Sequence, residues 1–558
     1  MFERIEVVDL LLRHKLINQE QIDKAKEESR RIGLPIERCF VKLGFVTDED
    51  ITNEQASALG VPYINLMDYI IDGEVVKLIP ENIAKKHKAI PLFKIGESLT
   101  VAMANPRDIA ALDQIRRLTK IENIDTVLAS EKGVQSALDS YYGFTGSVDD
   151  IISYIDREKI FETSDDKKLS DIVEETPVIK LVNIIVLQAV KDRASDIHIE
   201  PEENKLRVRY RIDGVLHEKN TFPKKLQNVV ISRIKVLSKM DIAESRKPQD
   251  GRIRLRMDNK DLDIRVSAFP TIHGENLVLR LLDKSTVLYG LMELGFSKEE
   301  IEVFNKLIHR PNGIMLVTGP TGSGKTTTLY AALSTVNSTE KNIITLEDPV
   351  EYEIPLIRQT AINPKAGVTF ATGLRSILRQ DPDIIMVGEI RDKETAEISI
   401  QAALTGHLVF STLHTNDAPS ALTRLIDMGI EPFLISSSVI GILAQRLVRT
   451  ICDKCKEKYI PSGPILKELE IKEGEEFFRG KGCKHCHDSG FVGRIGIYEL
   501  IVMNEDIRKM VDAKKSADEI KRRAVEFGMK TLRQDGLEKA GRGVTTIEEV
   551  LRVTTEME

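Results

Sequence analysis

The sequence predicts a multidomain α/β protein with a mostly parallel sheet in its C-terminal half. The chain has 558 residues, several times the usual size of one domain. Strand-like and helical segments alternate from Ile314 to about Ala444, a pattern typical of a parallel sheet covered by helices. Apolar residues make up 42% and charged residues 30% of the chain, which indicates folded domains and excludes a disordered chain.

Charge and hydropathy exclude two classes of protein. The net charge is −7, so we expect no nucleic-acid partner. No segment reaches the roughly 18 consecutive apolar residues that a membrane span needs. The strongest candidate, Phe433 to Ala444, is short and contains three serines, and the start MFERIEVVDL lacks the basic region of a signal peptide. We therefore expect a cytoplasmic protein that reaches a membrane only through a partner.

The first 60 residues contain an internal repeat with an offset of 29 residues. In each copy an apolar helix ends, and Asn18 or Thr47 follows where a helix N-cap is expected. Gln21 or Asp50 lies three residues later, as in a capping box. The repeat predicts two stacked helical hairpins.

Three further segments precede the parallel sheet. Residues 61–143 alternate strand-like runs, Ala89 to Phe93 and Ser98 to Met103, with helical runs, which predicts a small α/β unit. Residues 144–170 are polar and lose this periodicity, so they predict a linker with one short helix. Residues 171–283 predict an α+β domain, with a helix from Pro177 to Arg193 followed by strands at 196–200, 205–212, 251–257 and 262–268.

A phosphate-binding loop follows the strand Ile314 to Thr318. It fits the pattern GxxxxGK[ST] and is followed by a helix from Thr327 to Leu333. Its members are Gly319, Pro320, Thr321, Gly322, Ser323, Gly324, Lys325 and Thr326. The glycines let backbone N–H groups converge, Lys325 supplies charge to the outer phosphates, and Thr326 offers a hydroxyl to Mg²⁺. The loop predicts that the chain binds a nucleoside triphosphate.

Two apolar strands end in carboxylates, one at 343–351 and one at 383–389. The carboxyl ends of parallel strands meet beside the phosphate loop, where Mg²⁺ and the attacking water must lie. Gly388 occupies the position where a metal-binding Asp is common, so we expect Glu389 to hold Mg²⁺ through water and Glu351 to orient or deprotonate the attacking water. The alternative is that such carboxylates are helix caps or surface charges, and Glu347 and Asp348 fit a structural role.

His407 and His414 bracket a further apolar strand, Leu408 to Phe410. A metal pair would need a third ligand, and none is apparent in the sequence. We expect a position close to the γ-phosphate instead, with His414 or Thr415 sensing whether that phosphate is present.

Four of the five cysteines form two CxxC pairs, Cys452 with Cys455 and Cys483 with Cys486. Two such pairs, separated by 27 intervening residues, predict a closed four-thiolate site for structural Zn²⁺ in a lobe of about residues 450–490. The fifth, Cys39, fits a buried apolar residue.

Three arginines alternate with apolar residues in the predicted strand Lys205 to Ile212. Arg207, Arg209 and Arg211 share one face, because side chains at i and i+2 of a strand point the same way. The face could bind an anion, or it could be a solvated face paired with Asp or Glu. The phosphate loop favours anion binding, because phosphoryl transfer often recruits an arginine from another domain or subunit.

Together the motifs resemble one family, the type II secretion / type IV pilus assembly ATPases. They are GPTGSGKTTT, ITLEDPVEY, RQDPDIIMVGEIRD, TGHLVFSTLHTN and, before the phosphate loop, ASDIHIEP and RYRIDGVLHE. The resemblance runs from about Asp171 to the end of the chain. It implies a homohexamer of RecA-like P-loop ATPase domains (290–558, with the zinc lobe and a helical C-terminus), each preceded by a PAS-like α+β domain (171–283), with ATP between them.

The resemblance also implies roles for single residues. Lys325 and Thr326 belong to the Walker A loop, Glu351 is the catalytic glutamate and Glu389 belongs to the Walker B strand. His407 and His414 form the family's His box, Arg209 falls at an arginine finger, and a second family arginine corresponds to Lys224.

The function that the resemblance implies is ATP hydrolysis that drives pilin polymerisation through an inner-membrane platform protein. The protein would be cytoplasmic and peripherally associated with the inner membrane. Type II secretion, powered by assembly of pseudopilin subunits, is the alternative, because it shares every motif used here.

Residues 1–143 resemble the N-terminal type II secretion/MshEN-like domains, some of which bind cyclic di-GMP. The binding motif begins with Arg-Leu-Gly and ends in a glycine. The first copy here has Glu6-Val7-Val8 and Lys15 at those places, and the second has Pro35-Ile36-Glu37 and keeps Gly44. The resemblance therefore implies the fold, while the residues argue against cyclic di-GMP as a partner.

Overall fold

The chain forms two compact units, Met1–Thr286 and Val287–Glu558. A computed structural model describes residues 5–66, 69–142, 176–257, 260–283, 289–461 and 476–554. The predicted linker at 144–170 lies outside these residues. Across the described ranges, the helices are all too short or too polar to cross a membrane.

The N-terminal repeat folds as four helices: α1 (Ile5–Arg13), α2 (Gln19–Ile32), α3 (Ile36–Lys42) and α4 (Asp48–Leu59). The Asn18 side chain accepts from the Gln21 N–H, and the Thr47 side chain accepts from the Asp50 N–H, each in a complete capping box. Both predicted helix starts are therefore confirmed. Cys39 is fully buried in the core between these helices, as predicted.

A small α/β layer follows: α5 (Gly73–Val76), α6 (Glu81–His87), β1 (Ala89–Ile95), β2 (Ser98–Met103), α7 (Ile109–Thr119), β3 (Asn123–Leu128) and α8 (Glu131–Tyr142). Its sheet has the order β1-β2-β3, with β1 antiparallel and β3 parallel to β2. Both strands predicted here are confirmed, and β1 runs two residues further than predicted.

The last part of the first unit is a six-stranded antiparallel sheet with two helices. Its elements are α9 (Thr176–Lys191), β4 (Ala194–Pro201), β5 (Lys205–Ile212), β6 (Val215–Pro223), α10 (Gln227–Leu237), β7 (Gln249–Met257), β8 (Lys260–Thr271) and β9 (Gly274–Asp283). The strand order is β6-β5-β4-β9-β8-β7. The sequence did not predict β6, α10 or β9. Most side chains of β6 are half-buried, so this strand lacks the clear apolar–polar alternation that marks the others.

The second unit is a parallel α/β sheet with additions. Its first elements are α11 (Lys298–Ile308), β10 (Gly313–Thr318), α12 (Lys325–Val336), β11 (Ile343–Glu347), β12 (Arg358–Ala361), α13 (Phe370–Ile377), β13 (Ile384–Val387), α14 (Lys393–Leu404), β14 (Leu408–Leu413), α15 (Ala418–Asp427), α16 (Pro432–Ser438) and β15 (Val439–Ile451). The chain continues through β16 (Lys456–Tyr459), β17 (Phe477–Gly480), β18 (Phe491–Val502), α17 (Glu505–Asp512), α18 (Ala517–Glu526), α19 (Leu532–Gly541) and α20 (Ile547–Thr554).

The central sheet has the order β12-β11-β13-β14-β10-β15-β18, in which β18 alone runs antiparallel to its neighbour. Strands β10, β11, β13 and β14 are buried on both faces, as in other helix-covered parallel sheets, while the edge strand β12 is mostly exposed. Ile314 and Leu316 of β10 pack in one core cluster, while Met315 and Val317 pack in another. The predicted parallel sheet is therefore confirmed, and it carries the ends of β10, β11, β13 and β14 to one edge.

Candidate active site and metal centre

The phosphate loop joins the buried strand β10 to α12. Gly319 has φ +149° and Gly324 has φ +88°, backbone conformations that residues other than glycine rarely adopt. A Cβ at Gly319 would lie 2.5 Å from the Gln445 carbonyl oxygen, and one at Gly324 would lie 2.8 Å from Gln445 Nε2. Glycine at both positions lets the loop pack directly on β15.

Several polar groups of the loop are suited to bind an anion. Among the described residues, no side chain caps the start of α12, so its first-turn N–H groups stay available. Ser323 is 3% exposed, and its Oγ finds no hydrogen-bond partner in the described part of the chain. Lys325 Nζ folds back onto the carbonyls of Gly319 (2.8 Å) and Pro320 (3.1 Å). These donors fit a phosphate group.

The helix behind the loop is anchored to β15. Thr328 Oγ1 donates to Gln445 Oε1 at 2.7 Å, and both side chains are buried. Thr326 is exposed and Thr327 is half-buried, so the Thr326 hydroxyl is open to a metal ion at the start of the helix. Gln445 thereby supports both the loop and α12.

Burial lowers the pKa of Lys325 to about 8, an effect that Glu389 opposes and Arg446 reinforces. We expect ATP affinity to fall as the pH rises through about 8, because only the ammonium form attracts phosphate. Because bound phosphate would raise this pKa again, binding near that pH should take up a proton. Titration calorimetry in two buffers of different ionisation enthalpy measures both effects.

Lys325→Arg is the matched control for this prediction, because a guanidinium keeps its charge over the same pH range. Its affinity for ATP should be independent of pH between about 7 and 9. A wild-type affinity for ATP that does not change over that pH interval would contradict the assignment of the pH dependence to Lys325.

Glu389 lies just beyond the end of β13, on the edge that carries the phosphate loop. Its Oε2 lies 3.2 Å from His414 Nε2, and its Oε1 lies 2.6 Å from an Arg391 nitrogen. The carboxyl side chain is 14% exposed, and its charge acts on Lys325. The geometry therefore brings Glu389, His414 and Lys325 to one place, while the part of Glu389 in holding Mg²⁺ stays a prediction.

The two carboxylates after β11 differ in their surroundings. Glu347 is 3% exposed and accepts from the hydroxyls of Tyr330 and Thr345, which fits the structural role expected for it. Glu351 lies in the loop beyond it and is half-buried, and its backbone N–H donates to Tyr330 Oη at 3.3 Å. Glu351 thus stands at the carboxyl edge of the sheet, and its catalytic role stays a prediction.

The loop after β14 is tied to two neighbouring strands. Thr318 Oγ1, at the end of β10, lies 2.7 Å from Thr415 Oγ1 and accepts from the Thr415 N–H at 2.9 Å. Asn416 Oδ1 accepts from Arg446 of β15 at 3.0 Å. Sequence reasoning missed Gln445 and Arg446, although two adjacent polar residues inside the apolar run of β15 are a signal that could have found them.

His407 does not lie where it was predicted. It precedes β14, and its carbonyl accepts from the N–H of Gly313 at the start of β10. Its Nδ1 donates to the Ala402 carbonyl at 2.9 Å. Both strands have six residues, so His407 is separated from the phosphate loop of its own chain by about 20 Å of sheet. The expected position beside the γ-phosphate fits His414 and not His407.

The arginine-bearing strand β5 has one apolar and one charged face. Leu206, Val208 and Tyr210 are fully buried, while the three arginines are about one-third exposed on the other face. This alternation is the one predicted.

Within the first unit, each of these arginines meets a carboxylate. Arg209 forms a bidentate pair with Glu200, with N···O distances of 2.8 and 2.5 Å, and this hydrogen bonding raises the pKa of Arg209. Arg207 pairs with Glu202, and Arg211 lies 3.7 Å from Asp196. Such pairing is what the solvated-face alternative predicts, so the role of Arg209 as an arginine finger stays a prediction.

Lys224 lies at the place of the second family arginine and forms hydrogen bonds within the same unit. Its Nζ donates to the carbonyls of Glu202 at 2.5 Å and His273 at 3.3 Å. The ammonium therefore holds two loops of the sheet together.

The four paired cysteines come together in the second unit. Their sulfur atoms all lie within 4.8 Å of one another, and no disulfide links them. The S···S distances are 3.9 Å for Cys452–Cys483, 3.8 Å for Cys455–Cys486 and 3.7 Å for Cys483–Cys486. Zinc–sulfur bonds of about 2.3 Å give tetrahedral edges of about 3.8 Å, so the donor set fits a tetrahedral metal ion.

Backbone groups close the cluster. The N–H groups of Cys483 and Gly490 donate to the Cys486 sulfur at 3.2 and 3.3 Å. Burial opposes ionisation of this thiol, but these hydrogen bonds outweigh burial and lower its pKa. The Cys452 N–H also donates to the Gly490 carbonyl at 2.9 Å, which holds the two CxxC turns together.

We expect purified protein to carry about one zinc per chain, measured by elemental mass spectrometry. Replacing Cys455 and Cys486 together with serine should remove the metal and lower the melting temperature, because the lobe loses the bonds that close it. Cys39→Ala, at a buried cysteine outside the cluster, should keep the metal. Less than about half a zinc per chain in the unaltered protein would contradict the assignment.

Known proteins match this chain over nearly its whole length. The model of the type II/IV secretion system protein family matches residues 171–552, and that of the MshEN domain matches residues 59–148. The type IV pilus assembly ATPase PilB of Myxococcus xanthus is 45% identical over 556 residues, which cover 97% of this chain and 98% of that protein. The type II secretion system protein E of Xanthomonas campestris pv. campestris is 44% identical over 559 residues, with 98% of both chains covered.

A solved structure supports the fold. The ATPase DotB of Yersinia pseudotuberculosis superposes with a TM-score of 0.53 and 23% identity, covering 67% of this chain and 93% of that one. This likeness, together with the parallel sheet and its phosphate loop, identifies a RecA-like α/β core. The chain belongs to the type II/IV secretion system protein family and is an ATPase.

Proposed function

We propose that this chain is the subunit of a hexameric motor that hydrolyses ATP to drive type IV pilus assembly. The match to the Myxococcus pilus assembly ATPase carries this proposal, because it extends over 97% of the chain and leaves no large part of either protein unmatched. The motor acts on pilin subunits through an inner-membrane platform protein, from the cytoplasmic side.

The residues at the carboxyl edge of the sheet have separate roles in ATP binding and hydrolysis. The loop from Gly319 to Thr327 holds the phosphates of ATP, and Lys325 within it supplies the positive charge. The Thr326 hydroxyl, and Glu389 through water, hold Mg²⁺, which neutralises charge on the phosphates when bound. Glu351 orients the attacking water, and His414, hydrogen-bonded to Glu389, senses the γ-phosphate.

Residues 171–283 form the PAS-like domain in this proposal, and Arg209 serves as the arginine finger. In the first unit Arg209 is held by Glu200, so it must exchange this carboxylate for phosphate when it acts. A guanidinium suits this exchange, because its planar fork matches both groups in the same bidentate way.

The zinc lobe is structural in this proposal. Cys452, Cys455, Cys483 and Cys486 leave no open coordination position, so a bound ion would support folding and take no part in hydrolysis.

Type II secretion is the second candidate function. The Xanthomonas type II secretion protein E is nearly as similar, at 44% identity over 98% of both chains. In that role the same motor would assemble pseudopilin subunits and export proteins.

Cyclic di-GMP binding is suggested by the MshEN match at 59–148, but we propose that this chain does not use it. Glu6 and Pro35 replace the arginines of the binding motif, and a carboxylate would repel the phosphates of the ligand. We expect no saturable heat in a calorimetric titration with cyclic di-GMP. Micromolar binding, lost in Gly44→Asp, would contradict this.

The experiment that tests the motor assignment is a combined mass and activity measurement. Purified protein with Mg²⁺ and a non-hydrolysable ATP analogue should have six times the mass of the 62.8 kDa chain. Its Mg²⁺-dependent ATP turnover should not respond to DNA. Monomeric active protein, or turnover stimulated by DNA, would contradict the proposal, the latter in favour of a nucleic-acid translocase.

A further inference from the structure

A cluster of polar side chains, most of them buried, includes a residue of the helix that follows the phosphate loop. We name it the Glu347 cluster, and it comprises Glu347, Tyr330, Thr345 and Gln359. The carboxylate accepts from the Tyr330 hydroxyl, from the Thr345 hydroxyl at 2.5 Å and from Gln359 Nε2 at 3.2 Å. Tyr330 is fully buried and Glu347 is 3% exposed. The cluster therefore joins α12, β11 and β12, with Tyr330, Thr345 and Glu347 buried and Gln359 half-buried.

The same cluster holds the backbone of the loop that carries Glu351. The Glu351 N–H donates to Tyr330 Oη at 3.3 Å. Gln359 donates to the Tyr352 carbonyl at 3.1 Å and accepts from the Ile354 N–H at 2.6 Å. Three backbone groups within four residues are thus fixed by two side chains of the cluster.

Aromatic packing supports this arrangement. The rings of Tyr330 and Tyr352 meet edge to face, with centroids 4.5 Å apart. Such a contact adds directional attraction to the hydrogen bonds, so the loop has little freedom to slide along α12.

The composition of the cluster argues for a role beyond stability. In the described part of the chain, the donors to the Glu347 carboxylate are neutral groups, and burying a carboxylate among neutral groups costs free energy. Apolar side chains of similar volume would fill the same space at a lower cost. What they could not supply is an acceptor for the Glu351 N–H and a donor for the Tyr352 carbonyl.

The helix that bears Tyr330 also begins the phosphate site. Lys325 is the first residue of α12, and Tyr330 follows five positions later, about 7.5 Å along the helix axis. One rigid element therefore connects the phosphate-binding lysine to the loop of Glu351. We propose that Tyr330 is a positioning residue that fixes Glu351 relative to the phosphate loop, an inference that rests on the catalytic role proposed for Glu351.

The test is Tyr330→Phe, which removes one oxygen atom and keeps the ring. We expect kcat to fall about 10- to 100-fold, because a displaced catalytic group loses its alignment with the reacting atoms. KM for ATP should stay unchanged, because the phosphate loop keeps its donors. Tyr142→Phe is the matched control, since Tyr142 is buried in the N-terminal α/β layer and its hydroxyl donates to the Ile79 carbonyl at 2.8 Å. Both variants should lose a similar amount of thermal stability, and only Tyr330→Phe should lose turnover.

A double variant separates this inference from the role of Glu351. If Tyr330 acts through Glu351, Tyr330→Phe should cause no further loss of turnover in a Glu351→Gln background. Full turnover in Glu351→Gln would overturn the role of Glu351 and the inference with it. An inactive Glu351→Gln beside a fully active Tyr330→Phe would overturn the inference alone. A Tyr330→Phe protein with weakened ATP binding and far lower stability than Tyr142→Phe would also overturn it, in favour of a purely structural role.

Discussion

Replacing Glu351 with glutamine should leave ATP binding intact and lower turnover about 10²- to 10⁴-fold, the range expected for loss of a general base. The carboxylate stands in the loop after β11, at the edge of the sheet where the phosphate loop begins. An amide of the same size keeps the packing but cannot take a proton from water. Steady-state hydrolysis and equilibrium binding of a fluorescent ATP analogue measure the two properties separately.

Glu353→Gln is the control for this change. Glu353 lies two residues further along the same loop and is exposed, so its replacement makes the same chemical change away from the buried cluster. Turnover should be unaltered in this variant. Unaltered turnover in Glu351→Gln would exclude the catalytic role of Glu351 and leave the carboxylate as a surface charge.

Replacing Arg209 with alanine should lower turnover of the hexamer about 10³- to 10⁵-fold while ATP still binds, if Arg209 is the arginine finger. The loss would reflect missing charge stabilisation in the transition state, because the phosphate loop and Lys325 stay intact. Arg207→Ala is the matched control, because Arg207 lies on the same face of β5 and is also paired with a carboxylate.

Mixing variants tests whether Arg209 acts on ATP held by a neighbouring copy. Neither Arg209→Ala nor Glu351→Gln should be active alone, but a mixed hexamer should regain turnover, because some sites combine an intact Arg209 with an intact Glu351. Wild-type rates for Arg209→Ala alone would contradict the finger and support the carboxylate-paired face that the first unit contains.

Features with a local cause could be predicted from the sequence. The two capping boxes at Asn18 and Thr47 need only residues three positions apart, and both form as predicted. Each CxxC turn brings two sulfurs together locally, and the shared metal chemistry of the two turns predicted that they would meet, which they do. The parallel sheet follows from the alternation of apolar strands with helices, a pattern that spans the whole core.

Features that depend on distant partners could not be predicted. The Glu347 cluster joins Tyr330 to Gln359 across 29 positions, and the anchor of the phosphate loop joins Thr328 to Gln445 across 117. No periodicity in the sequence marks such pairs. His407 is a different case, because a residue before a parallel strand lies at the edge opposite to one after it, and this rule separates His407 from His414.

In the proposed function, ATP hydrolysis at the site of Lys325 drives pilus assembly in the cell. The decisive measurement is Lys325→Ala at the native locus, with surface pili scored by electron microscopy and exported proteins measured in the medium. We expect the variant to lose its pili while export stays normal. Normal pili with exoproteins retained inside the cell would contradict pilus assembly as the function and assign the motor to type II secretion.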